Sequence, residues 1–130
     1  GDEYMQTVTT QLNELTLRDD EILVVRSLNP GLSRTAEPVE AMYTALEQLL
    51  NGKRLPMLWD PRAIRSIRPD GWVAIIDRLD QFFAAIAIVI DDQTAELFGG
   101  YPGSWNSLLM PVRQFENETD ALAWLQHFGE

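Results

Sequence analysis

Residues 84–90, with the sequence AAIAIVI, form an uninterrupted apolar run that stops at Asp91 and Asp92. A strand covered on one face alternates apolar and polar residues, whereas a strand covered on both faces is apolar throughout. The run is also too short to span a bilayer, because a membrane helix needs about 20 apolar residues. It therefore predicts the central strand of a sheet that is covered on both faces.

Segments of strand and helix character alternate on both sides of this run. Apolar residues recur at helical spacing after Thr35 and after Asp70, and Asn117 is placed to cap a last helix. The first segment, 5–17, alternates loosely and is expected to form an antiparallel hairpin with the strand that follows. The predicted strands are 5–17, 22–28, 55–59, 84–90 and 110–115, and the predicted helices begin near Thr35, Asp70, Asp91 and Asn117.

The predicted order is β-β-α-β-α-β-α-β-α. Alternating strands and helices are typical of α/β proteins with a mostly parallel sheet, here with an antiparallel N-terminal strand. The length of 130 residues suits one domain over residues 1–130. Residues 1–4 are expected to be disordered or derived from an expression tag.

Composition argues against several classes of function. The net charge is −10, which disfavours binding to nucleic-acid phosphates and to anionic membranes. The chain has no cysteine and one histidine, His127, so thiolate chemistry, disulfides and paired-histidine metal sites are absent. We expect a cytoplasmic protein, since a cysteine-free chain fits a reducing compartment.

Carboxylates at strand ends are the candidates for metal chemistry. Asp91 and Asp92 follow the central strand and Asp60 ends another, and such ends are where α/β sheets place ligands. The competing interpretation, which we favour, is that these acids form the polar end of a strand and cap the helix that follows. No serine lies in a nucleophile-elbow motif. We therefore predict a protein that is not an enzyme, without cofactor or metal.

Basic residues are concentrated in one window of this acidic chain. A local positive patch on an acidic protein can bind an acidic partner or an anion, although scattered surface arginines would look the same in sequence. The window contains one acid, Asp60, and five of the ten basic residues: Lys53, Arg54, Arg62, Arg65 and Arg68.

Aromatic residues in an irregular segment are candidates for an apolar pocket or an interface. They are Phe98, Tyr101 and Trp105. Packing beneath the loop is the competing interpretation.

The chain resembles the STAS domain family, the fold of anti-sigma factor antagonists such as SpoIIAA. In that family a strand ending near an acid is followed by a loop and then by Asp-Ser-Ser-Gly-Leu, which opens a helix. Here 57–60 (MLWD) is followed by 67–73 (IRPDGWV). Gly71 matches the family glycine and Trp72 the apolar residue after it.

The end of the chain supports this resemblance, which covers it from about residue 20. Residues 111–115 (PVRQF) and 120–125 (DALAWL) are similar to the last strand and helix of small bacterial SpoIIAA-like proteins. The chain departs from the family at Pro69 and Asp70, which replace both serines. The phosphorylation switch of the antagonists is therefore not carried over, and Asp70 in its place is also explained as a cap of its own helix.

The resemblance implies a non-enzymatic module that binds a protein partner or regulates one. The surface we predict for the contact comprises Asp60, Arg65, Arg68, Asp70, Gly71 and Trp72. Two alternatives remain open: a carrier of a small apolar ligand, as in the similar CRAL-TRIO fold, and a metal-assisted enzyme using Asp60, Asp91 and Asp92. A homodimer is a further expectation, since the segment Met5–Leu17 would leave an exposed strand edge.

Overall fold

Six strands lie side by side in the order in which they occur in the chain. The computed structural model describes residues 6–99 and 108–128, except for the side chains of residues 98 and 99. The strands are β1 (Gln6–Thr9), β2 (Asn13–Leu17), β3 (Leu23–Ser27), β4 (Leu55–Asp60), β5 (Phe83–Val89) and β6 (Val112–Phe115). The helices of the described ranges include α1 (Ala36–Leu50), α2 (Pro69–Phe82), α3 (Asp92–Gly99) and α4 (Glu118–Leu125), with a 3-10 turn at Gln126–Phe128.

The sheet is antiparallel at its N-terminal side and parallel elsewhere, which confirms the predicted α/β class. β1, β2 and β3 pair antiparallel, and β3 to β6 pair parallel. The first segment differs from its prediction because it forms two strands. The Thr10 side-chain oxygen accepts the N–H groups of Leu12 and Asn13, at 3.2 and 3.1 Å, and so turns the chain between β1 and β2.

The central strand β5 is covered on both faces, as its sequence predicts. Ile86 and Ile88 lie in the larger core cluster, beneath α1 and α2. Ala85, Ala87 and Val89 lie in a second cluster on the opposite face, beneath α4. The side chain of Asn117 caps α4 by accepting the N–H of Asp120 at 2.9 Å, as predicted. Within residues 6–99 and 108–128, no helix is both long and apolar enough to cross a membrane.

Helices α1 and α2 pack against each other as well as against the sheet. The buried Tyr43 hydroxyl of α1 donates to the Ile75 carbonyl of α2 at 2.5 Å. The Arg78 guanidinium of α2 lies 5.0 Å from the centroid of the Tyr43 ring and pairs with Glu40 and Glu47, both at 2.9 Å. The two helices therefore form one layer, and their N-terminal ends lie together.

The start of α2 lies directly against the loop that leads into α1. The Arg68 N–H donates to the Arg34 carbonyl at 3.2 Å. A Cβ built on Gly71 would lie 1.9 Å from that same carbonyl oxygen, which is closer than any side chain can approach. Gly71 is therefore required by backbone packing, independently of any role in binding.

We expect Gly71→Ala to destabilise the protein by at least about 2 kcal/mol, because the backbone at Arg34 or the start of α2 must move. Gly31→Ala is the matched control, since a Cβ there meets nothing within 4 Å. Chemical denaturation monitored by circular dichroism measures both. Equal stability of the two variants would contradict the close packing at Gly71.

Candidate functional site

Arg34 has its side chain inside the protein. It is 2 % exposed, and burial lowers the pKa of its guanidinium. The guanidinium donates to the carbonyls of Asn29, Leu32 and Leu12 at 2.6, 2.8 and 3.4 Å, and also to that of Leu28. These acceptors belong to the β1–β2 turn and the β3–α1 loop, so one side chain holds both segments in place. Sequence analysis missed Arg34, because arginine is usually exposed and no motif marks it.

Asp70 links the N-terminal ends of the two helices. Its Oδ2 accepts the Ala36 N–H of α1 at 3.0 Å. Thr35 holds the N-cap position of α1 without a side-chain cap hydrogen bond, and Arg68 holds that of α2. The interpretation of Asp70 as the cap of its own helix is therefore wrong. Its carboxylate lies in the first turn of α2 but caps α1.

A group of alternating charges lies at the carboxyl ends of β3 and β4, on the side of α4. Arg26 and Asp60 are register partners on these strands, and their side chains approach to 3.3 Å. Arg26 also makes a bidentate pair with Glu118 at the start of α4, at 2.5 and 2.8 Å. Arg62 makes a bidentate pair with Asp60 at 2.8 and 3.0 Å. We call these four residues the β4-end network.

The network favours the charged form of each member. Burial alone would raise the pKa of Asp60, but hydrogen bonds from Arg62 and the charges of Arg62 and Arg26 outweigh it and lower that pKa. The hydrogen bond from Arg26 lowers the pKa of Glu118 against a smaller effect of burial. The pKa of Arg26 is raised by its hydrogen bond to Glu118. None of these groups is poised to exchange a proton near neutral pH.

Two of the three carboxylates proposed for a metal, Asp60 and Asp91, are engaged in other contacts, whereas Asp92 is exposed. Both oxygens of Asp60 accept from arginines. Asp91 Oδ1 accepts the N–H and the hydroxyl of Thr94, at 2.8 and 2.7 Å, and so caps α3. In the described part of the chain, no three Asp, Glu or His side chains are grouped to hold a cation. The arrangement therefore gives the metal-assisted alternative no support.

Only part of the predicted contact surface is accessible. Trp72 is 2 % exposed and packs in the larger core cluster, and Gly71 is buried against Arg34. Asp60 is held in the β4-end network. Arg65, Arg68 and Asp70 are exposed. The next residue on the exposed side of α2 is Val73, which is 69 % exposed and was missed because an isolated valine carries no signal in sequence.

The basic residues of the predicted window do not form one patch in the structure, because they make different contacts. Lys53 pairs with Glu21 at 2.8 Å, and Arg62 belongs to the β4-end network. Arg54, before β4, donates to the Asp80 carbonyl at 2.8 Å. In the loop between β4 and α2, Arg65 donates to the Arg62 carbonyl at 3.2 Å. Neither Arg65 nor Arg68 has a carboxylate within ion-pair distance among the described residues.

The interior between the sheet and α1–α2 contains a small apolar cavity. Its volume is about 30 Å³, and Arg34, Met42, Trp59 and Phe83 are among its lining residues. One water needs about 10–15 Å³ by this measure, so the cavity is far smaller than a lipid chain. The pocket predicted at Phe98, Tyr101 and Trp105 involves side chains that lie outside the described residues.

Comparison with known proteins shows similarity to one sequence family and to one fold. A family model described as a domain of unknown function, DUF7793, matches residues 15–129. The structure is similar to a crystal structure of a protein from the DUF3478 family of Shewanella loihica PV-4, which has a SpoIIAA-like fold. The TM-score is 0.63 at 21 % identity, over 93 % of this chain and 91 % of that chain. No curated protein sequence matches significantly.

We expect Glu118→Gln to remove part of the stability that the β4-end network supplies. The folded pKa of Glu118 is lowered, so its contribution is present above the unfolded pKa of about 4.3 and is lost as pH falls through the folded value. The pair with Arg26 is partly exposed, which limits the loss at pH 7 to roughly 0.5–1 kcal/mol.

The measurement is urea denaturation of wild type and Glu118→Gln between pH 7 and pH 3. The difference in unfolding free energy should shrink toward low pH. Glu116→Gln, at an exposed position two residues earlier, is the control and should stay within about 0.5 kcal/mol of wild type at pH 7. A Glu118→Gln deficit that does not depend on pH would contradict this assignment.

We expect Asp70→Ala to cost about 1 kcal/mol and to expose the Ala36 amide, because α1 loses its cap. Hydrogen exchange followed by NMR should show faster exchange at Ala36 in this variant. Asp77→Ala, at an exposed position in the middle of α2, is the control. Unchanged exchange at Ala36 would show that Asp70 does not cap α1.

Proposed function

We propose that this chain, which belongs to the DUF7793 family and has a SpoIIAA-like fold, is a STAS-like module that binds a protein partner. The contact surface would be the α2-entry face, which we define as Arg65, Arg68, Asp70 and Val73. We further propose that residues 1–130 form one such module, working in the reducing environment of the cytoplasm, with which a cysteine-free chain is compatible.

The observation that carries the proposal is a pair of exposed arginines, Arg65 and Arg68, for which the described part of the chain provides no carboxylate partner. Acidic residues outnumber Lys and Arg by 20 to 10 in this chain. Most of the other described arginines contact a carboxylate, a ring or buried carbonyls. Arg65 and Arg68 remain available on a short loop, where an acidic segment of a partner would be attracted and a basic one repelled. We infer a partner that presents acidic side chains.

An apolar contact lies next to these charges. Val73 follows Asp70 by three residues on α2, so the two side chains lie on the same side of the helix. Its exposed fraction of 69 % is large for valine on a packed helix. An apolar residue beside polar and charged ones is the usual composition of a protein–protein contact. The partner we infer therefore adds an apolar side chain to its acidic ones.

The α2-entry face rests on a rigid base, which favours binding without rearrangement. Gly71 contacts the Arg34 carbonyl, Trp72 fills the core, and Asp70 caps α1. A surface that is held in place before binding loses less conformational entropy on binding. In our proposal, the predicted contact residues Gly71 and Trp72 support the face. Asp60 holds the start of the preceding loop, because its Oδ1 accepts the Arg62 N–H at 3.2 Å.

The ionisable groups nearby support binding over catalysis. The charges of the β4-end network are paired with one another, and none has a pKa shifted toward neutrality. A general acid or base works best with a pKa near the working pH. The serines of the antagonists are replaced here by Pro69 and Asp70, so we propose contacts that do not depend on phosphorylation at these positions.

We expect the double variant Arg65→Glu, Arg68→Glu to recover a specific partner at least about 10-fold less well than wild type, since like charges would then face each other. The measurement is affinity capture with quantitative mass spectrometry, followed by binding of the purified partner. The control is Arg54→Glu, Arg113→Glu, which makes the same change in charge at other exposed positions. Equal recovery of every partner by both double variants would refute the α2-entry face.

A further inference from the structure

Strand β1 forms an open edge of the sheet. Among the described strands it pairs with β2 alone, and all four of its residues, Gln6–Thr9, are exposed. Val8 is register partner to Leu15, whose side chain is fully buried in the larger core cluster, and Val8 itself is 37 % exposed. The apolar side chains on this face of the sheet therefore continue from Leu15 to Val8 at its edge, where they contact solvent.

The turn that precedes β2 determines which backbone N–H and C=O groups of β1 point away from the sheet. The Thr10 N–H donates to the Asn13 carbonyl at 2.8 Å. In an antiparallel pair, hydrogen-bonded and non-hydrogen-bonded residue pairs alternate. Val8 therefore exchanges its backbone hydrogen bonds with β2, whereas the N–H and C=O groups of Thr7 and Thr9 point away from the sheet. These outward groups are positioned to pair with another strand.

The two edges of the sheet differ in their protection. On the β6 edge, Pro111 precedes the strand and Arg113 lies within it, and proline and exposed charge are the usual means of blocking an edge. On the β1 edge, residues 4–13 contain no charged side chain and no proline. This is an unusual stretch in a chain with a net charge of −10. The β1 edge is thus left open to pairing.

We propose that the occupant of the β1 edge is a second copy of this chain, paired antiparallel through β1 about a two-fold axis at Val8. This register places Val8 opposite Val8 of the partner subunit, as a non-hydrogen-bonded pair with the two side chains in contact. Thr7 then lies opposite Thr9 of the partner subunit, and Thr9 opposite Thr7 of the partner subunit. Both of these pairs are hydrogen-bonded, so every outward group of Thr7 and Thr9 is satisfied.

The match between identical strands, at an edge that carries no charge, favours a second copy over a different protein. Two chains of net charge −10 repel each other over most of their surfaces, and the uncharged β1 edge allows them to approach. Strand β1 has no carboxylate that would bind a basic partner. Two identical strands, in contrast, match in length, in side-chain pattern and in hydrogen-bonding groups. Because the paired segment is short, the dimer is weak and forms at high protein concentration.

The absence of cysteine permits a direct test of the register. Non-hydrogen-bonded pairs have Cβ atoms about 4.5–5.5 Å apart, close enough for a disulfide after a small adjustment. Val8→Cys should therefore form a covalent dimer under mild oxidation. Thr16→Cys, on the inner strand β2, should stay monomeric under the same conditions. Equal cross-linking of the two variants would overturn the register.

Sedimentation velocity from about 10 µM to about 1 mM tests association itself. Wild type should shift from monomer to dimer over this range. Val8→Lys should weaken the dimer by at least about 10-fold, because two ammonium groups would face each other. Gln114→Lys, on the β6 edge, adds the same charge and should leave dimerisation unchanged. A wild-type chain that stays monomeric at every concentration would overturn the proposal.

Discussion

A buried arginine determines how the parts of this protein meet. Arg34 lies within the fold, and its guanidinium is compensated by four backbone carbonyls, with no carboxylate among the partners that residues 6–99 and 108–128 provide. Withdrawing such a charge from water is costly unless its donors are all satisfied, so these carbonyls are held in a fixed arrangement. The carbonyl of Arg34 itself accepts from Arg68 and excludes any side chain larger than hydrogen at position 71. The β1–β2 turn, the β3–α1 loop and the start of α2 are thereby joined.

This junction separates two charged regions at the same end of the sheet. On the α4 side, Arg26, Asp60, Arg62 and Glu118 satisfy one another and form a closed network. On the other side, the loop after β4 carries Arg65 and Arg68 into solvent beside Val73. Closed ion pairs contribute modestly to stability and little to recognition, whereas charges without partners attract a complementary surface. Our proposal for function therefore concerns the second region.

Much of the architecture was predictable because it depends on local pattern. The continuous apolar run of β5, the helical spacing in α1 and α2, and the cap at Asn117 all correspond to the elements observed. The predicted hairpin failed in one detail, the division of its first segment into β1 and β2. That division depends on how the Thr10 side chain bonds to the backbone at Leu12 and Asn13, and a weakly alternating polar segment does not indicate where it turns.

By itself, the sequence determined the α/β class, the order of most elements, the cysteine-free composition and the concentration of arginines after β4, since these depend on residue type and spacing. Only the tertiary structure decided which of those arginines pair with carboxylates and which have none among the described residues, because contacts such as Arg62–Glu118, at 3.8 Å, join residues far apart in the sequence. It also decided the role of Asp70, which caps α1 although it belongs to α2. Both facts depend on distances through space that a linear pattern does not contain. The open β1 edge is likewise a property of the tertiary structure, because the position of a strand at an edge depends on which other strands pair with it.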